Sequence, residues 1–304
     1  MRCAPIILLP ALLLAGCWKP PAAEAIPRLQ LLRALPVDAP GDVEPSGLAW
    51  HAGVLYTVCD KTDDTIFRLD LSGDTARMIP HLRFRPPSRG PMDFEGITID
   101  GAGNFFLASE FHSRVLWVRP DGATRWLTGD IKVVAHNAGM LVKYNAGLEG
   151  LALLPDGDIL LAAEREQRGF IRVAGLRGEG VLRAAGATNQ TRFTQALALW
   201  RIADYSGLAT DNGRVFALFR NAHLVVELEP DGELFRESPR AWSYAHIEND
   251  PRYAYREERF GQAEGLAVHG DTVYLIVDNN RSPRRADPAD RRPQLWIMEM
   301  TDGE

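Results

Sequence analysis

The chain has 304 residues, is 46% hydrophobic and carries a formal net charge of -6. The apolar content is that of a globular protein able to bury a core as one all-β domain or two smaller ones. The acidic balance excludes nucleic acid as the partner, since a phosphate backbone selects basic surfaces.

Arg2 precedes an apolar run from Ile6 to Leu14, too short to act as a stop-transfer helix. The run closes on Leu14-Ala15-Gly16-Cys17, which resembles the bacterial lipobox: small residues admit the signal peptidase and the thiol takes the lipid. Residues 1–16 therefore read as a lipoprotein signal peptide and Cys17 as the site of lipid attachment; an ordinary secretory cut beside a chance cysteine is the alternative. Trp18 stands where Asp would signal retention in the inner membrane, which points to the outer membrane. Residues 17–27 are rich in Pro and Ala and read as a lipidated tether. No comparable linker follows, so 28–304 is expected to be a single domain. Cys59 would be the one remaining free cysteine, leaving no intrachain disulfide in the mature chain. Its place after the apolar run Val54 to Val58 reads as a small buried hydrophobe.

Five copies of one phrase follow: EPSGLAW at Glu44, FEGITID at Phe94, LEGLALL at Leu148, YSGLATD at Tyr205 and AEGLAVH at Ala263. Their spacing is that of a propeller or array. Each copy runs into a turn signal (His51-Ala52-Gly53, Asp100-Gly101, Asp156-Gly157, Asn212-Gly213, Gly270-Asp271) and then an apolar run: VLYTVCD, NFFLASE, DILLAAE, RVFALFR, TVYLIVD. Two strands around a tight turn predict a hairpin, and the apolar second strand predicts cover on both faces. Third strands are expected at TIFRLDL, RVLWVRP, GFIRV, HLVVELE and QLWIMEM; fourth strands are visible at ATRWLTGD and less clearly at ALALWRIA. Four antiparallel strands per repeat make the blade of an all-β propeller. Five blades are expected, with room for a sixth between Val173 and Gln195. The last repeat lacks a fourth strand, which RLQLLRALPV near the mature N-terminus can supply, closing the ring.

Comparing repeats aligns two sets of residues. Before the repeat Gly stand Ser46, Glu95, Glu149, Ser206 and Glu264; at the end of the second strand stand Asp60, Glu110, Glu164, Arg220 and Asp278. The start of strand one lies beside the end of strand two in an antiparallel hairpin, so both sets should converge on one mouth of the channel. Carboxylates crowded against a single matching cation, Arg220, raise one another's pKa and need an offset. A hard divalent ion is one solution, Ca²⁺ ahead of Mg²⁺ or Mn²⁺, with ligands drawn from Asp60, Glu95, Glu110, Glu149, Glu164, Glu264 and Asp278. Hydrogen bonding of the acids to strand-start backbone and to Arg or Trp neighbours, without metal, is the other.

The phrases DFEGITIDGAGNFFLASE, NAGLEGLALLPDGDILLAAE and YSGLATDNGRVFALFR resemble the phytase-like family, described by esterase-like activity of phytase, and nearly as well the SdiA-regulated propellers of bacterial envelopes. The resemblance runs from Glu44 to Met300 and implies a secreted or lipidated β-propeller that binds calcium and carries a hydrolase label. Its motifs match Glu95, Glu149 and Glu264, with Glu110 and Glu164 ending the next strands. A looser likeness, in fold and acidic mouth alone, is to calcium-dependent lactonases of the gluconolactonase type.

Two functions are then expected. In one, Ca²⁺ at the mouth binds an ester or phosphate oxygen while an uncoordinated carboxylate among Glu149, Glu95 and Glu264 serves as base, with Arg220, Ser46 and Ser206 meeting a small anionic or ester substrate. In the other, a non-enzymatic envelope propeller presents its mouth to a glycan, peptide or protein and the ion is structural. No G-x-S-x-G elbow occurs. His112 and His136 sit near loop ends, where acid–base work and simple packing are both open. RSPRRADPADRR at 281–292 reads as a solvated loop paired to Asp287 and Asp290, or as a lid whose guanidinium groups meet an anion beside Asp278.

Overall fold

The structure is a computed structural model and describes residues 26–41, 44–144, 146–174, 180–188, 190–256 and 262–301. The signal peptide, Cys17 and all of the tether but Ile26 and Pro27 lie outside the described residues.

Among the described residues twenty strands make an all-β, propeller-like architecture. Three sheets have four strands: β6 (Phe94–Ile99), β7 (Phe105–Ser109), β8 (Arg114–Val118) and β9 (Thr124–Trp126); β10 (Leu148–Leu153), β11 (Ile159–Ala163), β12 (Gly169–Ala174) and β13 (Val181–Ala187); β14 (Gly207–Asp211), β15 (Arg214–Phe219), β16 (Leu224–Asp231) and β17 (Leu234–Ser243). The remaining eight form one sheet from two such arrays. One is β2 (Pro45–His51), β3 (Val54–Cys59), β4 (Thr62–Asp70) and β5 (Ala76–Arg83); the other is β18 (Ala263–His269), β19 (Thr272–Val277), β20 (Gln294–Glu299) and β1 (Gln30–Asp38). β1 pairs antiparallel with β20 from Gln30↔Glu299 to Pro36↔Gln294, as the sequence around RLQLLRALPV predicts, and its end runs parallel to β5 at Val37↔Ala76.

The second strands obey their apolar sequence: all of β7 and all of β11 are buried. The hairpin turns follow from backbone chemistry, since Ala52-Gly53 and Asn212-Gly213 both take the left-handed conformation that closes a two-residue turn. In the β6–β7 turn that conformation falls on Gly103 rather than at Asp100-Gly101. One fourth strand is elsewhere than expected. ALALWRIA forms no strand, and β13, from the weakly patterned stretch between Val173 and Gln195, pairs with β12 instead. Three residues of β13 are Ala and one is Gly, and most of the strand is only half-buried, so its apolar alternation is faint.

The first strands face one another in cyclic order: β2 on β6, β6 on β10, β10 on β14, β14 on β18 and β18 on β2. The repeat glycine explains how closely they meet. A Cβ on Gly47 would lie 2.9 Å from the Ile97 amide nitrogen, on Gly96 3.0 Å from that of Leu151, and on Gly150 2.9 Å from that of Leu208. Gly207 abuts Leu266 in the same manner, and Gly265 closes the circuit against Ser46 and Gly47. Between the sheets lie apolar clusters that mix adjacent arrays, such as Phe106, Leu151, Leu161 and Ile171. Cys59 is fully buried in one of them, and burial first, then Asp60 and Glu95, pushes its thiol far above the ordinary range.

Gly150→Ala should therefore destabilise the protein by roughly 1–3 kcal/mol, the usual cost of overpacking against backbone that cannot yield. Gly101→Ala, where a Cβ meets nothing within 4 Å, should change urea-unfolding stability by about 0.5 kcal/mol or less.

Candidate acidic site at the mouth

In three arrays the acid before the repeat Gly is the extra residue of a β-bulge. The β6–β7 register slips between Phe94 and Gly96, β10–β11 between Leu148 and Gly150, and β18–β19 between Ala263 and Gly265. A bulge re-aims the side chain it carries, and here Glu95, Glu149 and Glu264 all line one cavity of about 700 Å³. The ends of the second strands deliver Asp60, Glu110, Glu164, Arg220 and Asp278 to the same cavity. Nine of the ten aligned positions thus line it, counting Ser46.

The tenth, Ser206, lies elsewhere. Its hydroxyl is buried and donates to the Ala263 carbonyl at 2.8 Å. Ser46 donates likewise to the Phe94 carbonyl. Both hydroxyls join one first strand to the next array, which is a stitching role where the other repeats carry an acid.

Alignment two residues further upstream would have found more. Three residues before each repeat Gly stand Glu44, Asp93, Gly147, Asp204 and Gln262; Glu44 and Asp93 line the cavity, and Asp204 is fully buried beside it. Gly147 is small because the Glu110 side chain occupies the space its Cβ would take. Lys61 and Arg165 also line the cavity, so Arg220 is not its sole cation.

The charges divide into two halves. On one side Arg220 spends each nitrogen on a different acid: Nε on Asp204 at 3.0 Å, Nη1 on Glu264 at 2.5 Å and Nη2 on Glu164 at 2.5 Å. Glu164 is 2% exposed and also pairs with Arg165. Although burial opposes its charge, Glu264, Asp204 and Glu149 hold Arg220 well above its ordinary pKa. Arg220, which was expected to meet an anionic substrate, lines the cavity with each of its three nitrogens already on a carboxylate.

On the other side the acids are bare. Among the described residues the side chains of Asp93, Glu95, Glu110 and Glu149 form no hydrogen bond or ion pair, although Glu149 is only 8% exposed. Burial, then the charges of Glu264 and Asp60, raises Glu95 well above the ordinary carboxylate range. Burial and Glu95 do the same to Glu149 against the pull of Arg220. Burial, then Asp93, raises Glu110, and burial raises Asp278 to about 7 and Asp60 to about 6, the latter despite Lys61. Carboxylate oxygens of Asp60, Asp93 and Glu95 lie within 4.8 Å of one another, and Asp60 Oδ1 is buried without a partner. An oxygen-only set with an orphaned acceptor suits a hard divalent cation.

Neither His112 nor His136 lines the cavity. His112 lies 5.0 Å from both the Phe111 and Trp126 rings, and His136 Nε2 is 2.7 Å from the Leu141 carbonyl. In the 281–292 loop Arg292 pairs with Asp290 and Asp38, each at 2.9 Å, and the Asp287 carboxylate caps the Ala289 amide.

Comparison with known proteins adds the following. Residues 44–170 match the phytase-like family, "Esterase-like activity of phytase", a stretch that includes Asp60, Asp93, Glu95, Glu110, Glu149 and Glu164. No curated protein matches the sequence. Among solved structures, Myxococcus xanthus glutaminyl cyclase superposes with a TM-score of 0.55 at 13% identity, over 91% of this chain and 100% of that one. The PQQ-bound aldose sugar dehydrogenase of Streptomyces coelicolor gives 0.47 at 15% identity, over 90% and 98%. At such identities the first of these likenesses bears on the fold alone.

Two outcomes follow. Carboxylates whose folded pKa exceeds the unfolded value bind extra protons in the native state, so their contribution to stability is complete below about pH 4 and is lost as pH rises through the folded values. With Asp60 at about 6 and Asp278 at about 7, the metal-free protein should lose melting temperature between pH 5 and pH 7.5 in chelator, read by circular dichroism; an increase over that range would contradict the bare cluster. Arg220→Met should cost about 3–5 kcal/mol at pH 7.5, read by urea unfolding, by leaving the buried Asp204 and the half-buried Glu264 without their cation and Glu164 with Arg165 alone.

Proposed function

We propose that the chain is a five-bladed β-propeller held at the outer membrane by lipid on Cys17, and that its mouth binds a divalent cation, calcium first, and hydrolyses an ester or phosphoester. The observation that carries this reading is the bare half of the ring: four carboxylates without a protein partner, one of them deeply buried, in a cavity of about 700 Å³. An architectural ring would have been neutralised throughout, as the Arg220 half is. The match of residues 44–170 to a family described by esterase-like activity supports the reaction class.

Asp60, Asp93 and Glu95 would hold the ion, with Glu110 nearest in kind to complete the set. A bound divalent cation supplies Lewis acidity toward an ester or phosphoryl oxygen and a lower pKa for an attacking water. Glu149 suits the base, because it has no protein partner and burial raises its proton affinity, so it can take a proton from water and return it to the leaving oxygen. Arg220, with Glu164, Asp204 and Glu264, fixes the opposite wall. In this assignment Glu264 positions and does not ligate. Ser46 ties two first strands together at the rim, and Ser206 does so beneath it.

A second function is favoured by the Arg220 cluster itself, since a mouth half closed by structural ion pairs also suits a non-enzymatic envelope propeller that an ion merely stiffens. Melting and turnover separate the two. Calcium at about 100 times its Kd should stabilise the protein by roughly 2.7 kcal/mol, and Glu95→Gln should remove most of that gain. Under the hydrolase reading the calcium-loaded protein cleaves aryl esters or phosphoesters, and Glu149→Gln lowers kcat by about 100-fold or more while keeping the calcium-induced stabilisation. Stabilisation with no turnover of either substrate class assigns the ion to structure alone.

A further inference from the structure

Nine large apolar side chains stand exposed among the described residues, and seven lie on one face: Phe111, Val133, Val142, Tyr144, Leu199, Trp200 and Ile202. Only Leu32 and Val181, on outer strands, lie elsewhere. Connectivity explains the segregation. In an array of four antiparallel strands, the links from second to third strand and from fourth strand to the next first strand emerge at the end where first strands begin. Phe111 sits on the β7–β8 link, Val133, Val142 and Tyr144 on the β9–β10 link, and Leu199, Trp200 and Ile202 on the β13–β14 link. Trp200 and Ile202 line the acidic cavity itself. The turns of the opposite face, such as those at Gly53, Gly122, Gly157 and Gly232, expose no large apolar residue among those described.

These side chains project and do not line a groove: Tyr144 is 99% exposed and Leu199 fully so. A protein partner would have to present a separate pocket to each of three loops, whereas a fluid interface accepts projections of any spacing. Their chemistry is also interfacial. Trp and Tyr prefer the headgroup level of a bilayer, and apolar tips alternate with exposed lysines in Lys132-Val133 and Val142-Lys143-Tyr144, an order that lets aliphatic stems share the apolar layer while the cations stay wet.

We infer that the mouth face docks onto a phospholipid bilayer, its loops at 111, 142–144 and 199–202 inserting at the headgroup boundary beside the acidic cavity. The occupant is argued from the chain between the proposed lipid and the domain. Nine peptide links separate Cys17 from Ile26, the first described residue, which packs on the domain core. Fully extended they reach about 30 Å, so a chain acylated at Cys17 holds the domain against the bilayer surface at high effective concentration. Reach of this kind rests on the acylation proposed above; the distribution of apolar residues does not.

The test uses the mature full chain reconstituted on phosphatidylethanolamine–phosphatidylglycerol vesicles, with mass spectrometry of the N-terminal peptide reporting acylation separately. Cys59 is fully buried, so an environment-sensitive fluorophore can be placed at Tyr144→Cys, and in a second protein at Asp121→Cys on the opposite face. Brominated lipid should quench the probe at 144 roughly threefold or more than the probe at 121, as insertion to the acyl boundary requires, and its emission should shift to the blue. Adding Leu199→Ser, a change at a fully exposed side chain, should lower the quenching at 144 at an unchanged melting temperature. Equal quenching at the two sites overturns the proposal whether or not Cys17 is acylated. So does the same blue shift without vesicles accompanied by a doubled mass in sedimentation, which would assign the face to a second copy of the chain.

Discussion

Five glycines set how near the first strands may come to one another, and the rest of the molecule follows from that approach. Each leaves its Cβ position to the next first strand, and the circuit closes only because Gly265 meets Ser46 and Gly47 as the others meet their successors. Backbone packed on backbone at this distance cannot relax by rotamer changes, so the geometry around the axis is stiff where side chains elsewhere in the core could adjust. The bulge that places Glu95, Glu149 or Glu264 just before its glycine then turns the acid toward the axis. Crowding of charge at the mouth is thus a consequence of how the backbone is packed.

That crowding is handled differently on the two sides. Arg220 stands where the other four repeats end their second strand in an acid, and the exchange of one carboxylate for one guanidinium satisfies Asp204, Glu164 and Glu264 at once. A single planar cation can do this because its three nitrogens point to three directions that correspond to three strands; a lysine at the same place would have one point of charge to share. Nothing comparable serves Glu95, Glu110, Glu149 and Asp93. Lys61, the nearest basic residue on that flank, spends its charge on Asp60 and on Glu44 at 3.0 Å. The asymmetry is therefore specific to position, and it concentrates unmet acceptor capacity in one part of a cavity open to solvent.

Much of this was legible in the repeat. Alignment on glycine located all five first strands and all five second strands, because close backbone approach leaves a signal that survives divergence of everything around it, and the last repeat's missing fourth strand pointed to β1. The same alignment named ten positions in two registers, nine of which line the cavity, yet passed over Glu44, Asp93 and Asp204, which share a third register where Gly147 and Gln262 interrupt the pattern. Gly147 is an interruption with a cause, since Glu110 fills its space. The strand β13 was missed because Ala and Gly on a half-buried outer strand give no alternation, while ALALWRIA, with its strong apolar content, was read as a strand when Leu199, Trp200 and Ile202 are in fact displayed to solvent. Ser46 and Ser206 illustrate a different gap: their hydroxyls stand at acid positions, and the bonds they donate to the carbonyls of Phe94 and Ala263 leave no mark in the sequence.

The bare acids also constrain what the cavity can be used for. A buried carboxylate with no partner is held either by a proton or by a cation, and the two states compete: raising the pH empties the first and makes the second more favourable. Glu95 and Glu149 are both shifted upward chiefly by burial, with neighbouring carboxylates adding to the shift. A cation entering near Asp60, Asp93 and Glu95 would displace protons there first and, by removing the repulsion that Glu95 exerts on Glu149, lower the pKa of the latter toward the range of a working base. Occupancy and basicity are in that way coupled through one side chain, Glu95, whose aim toward the axis is fixed by the bulge and by the glycine that follows it.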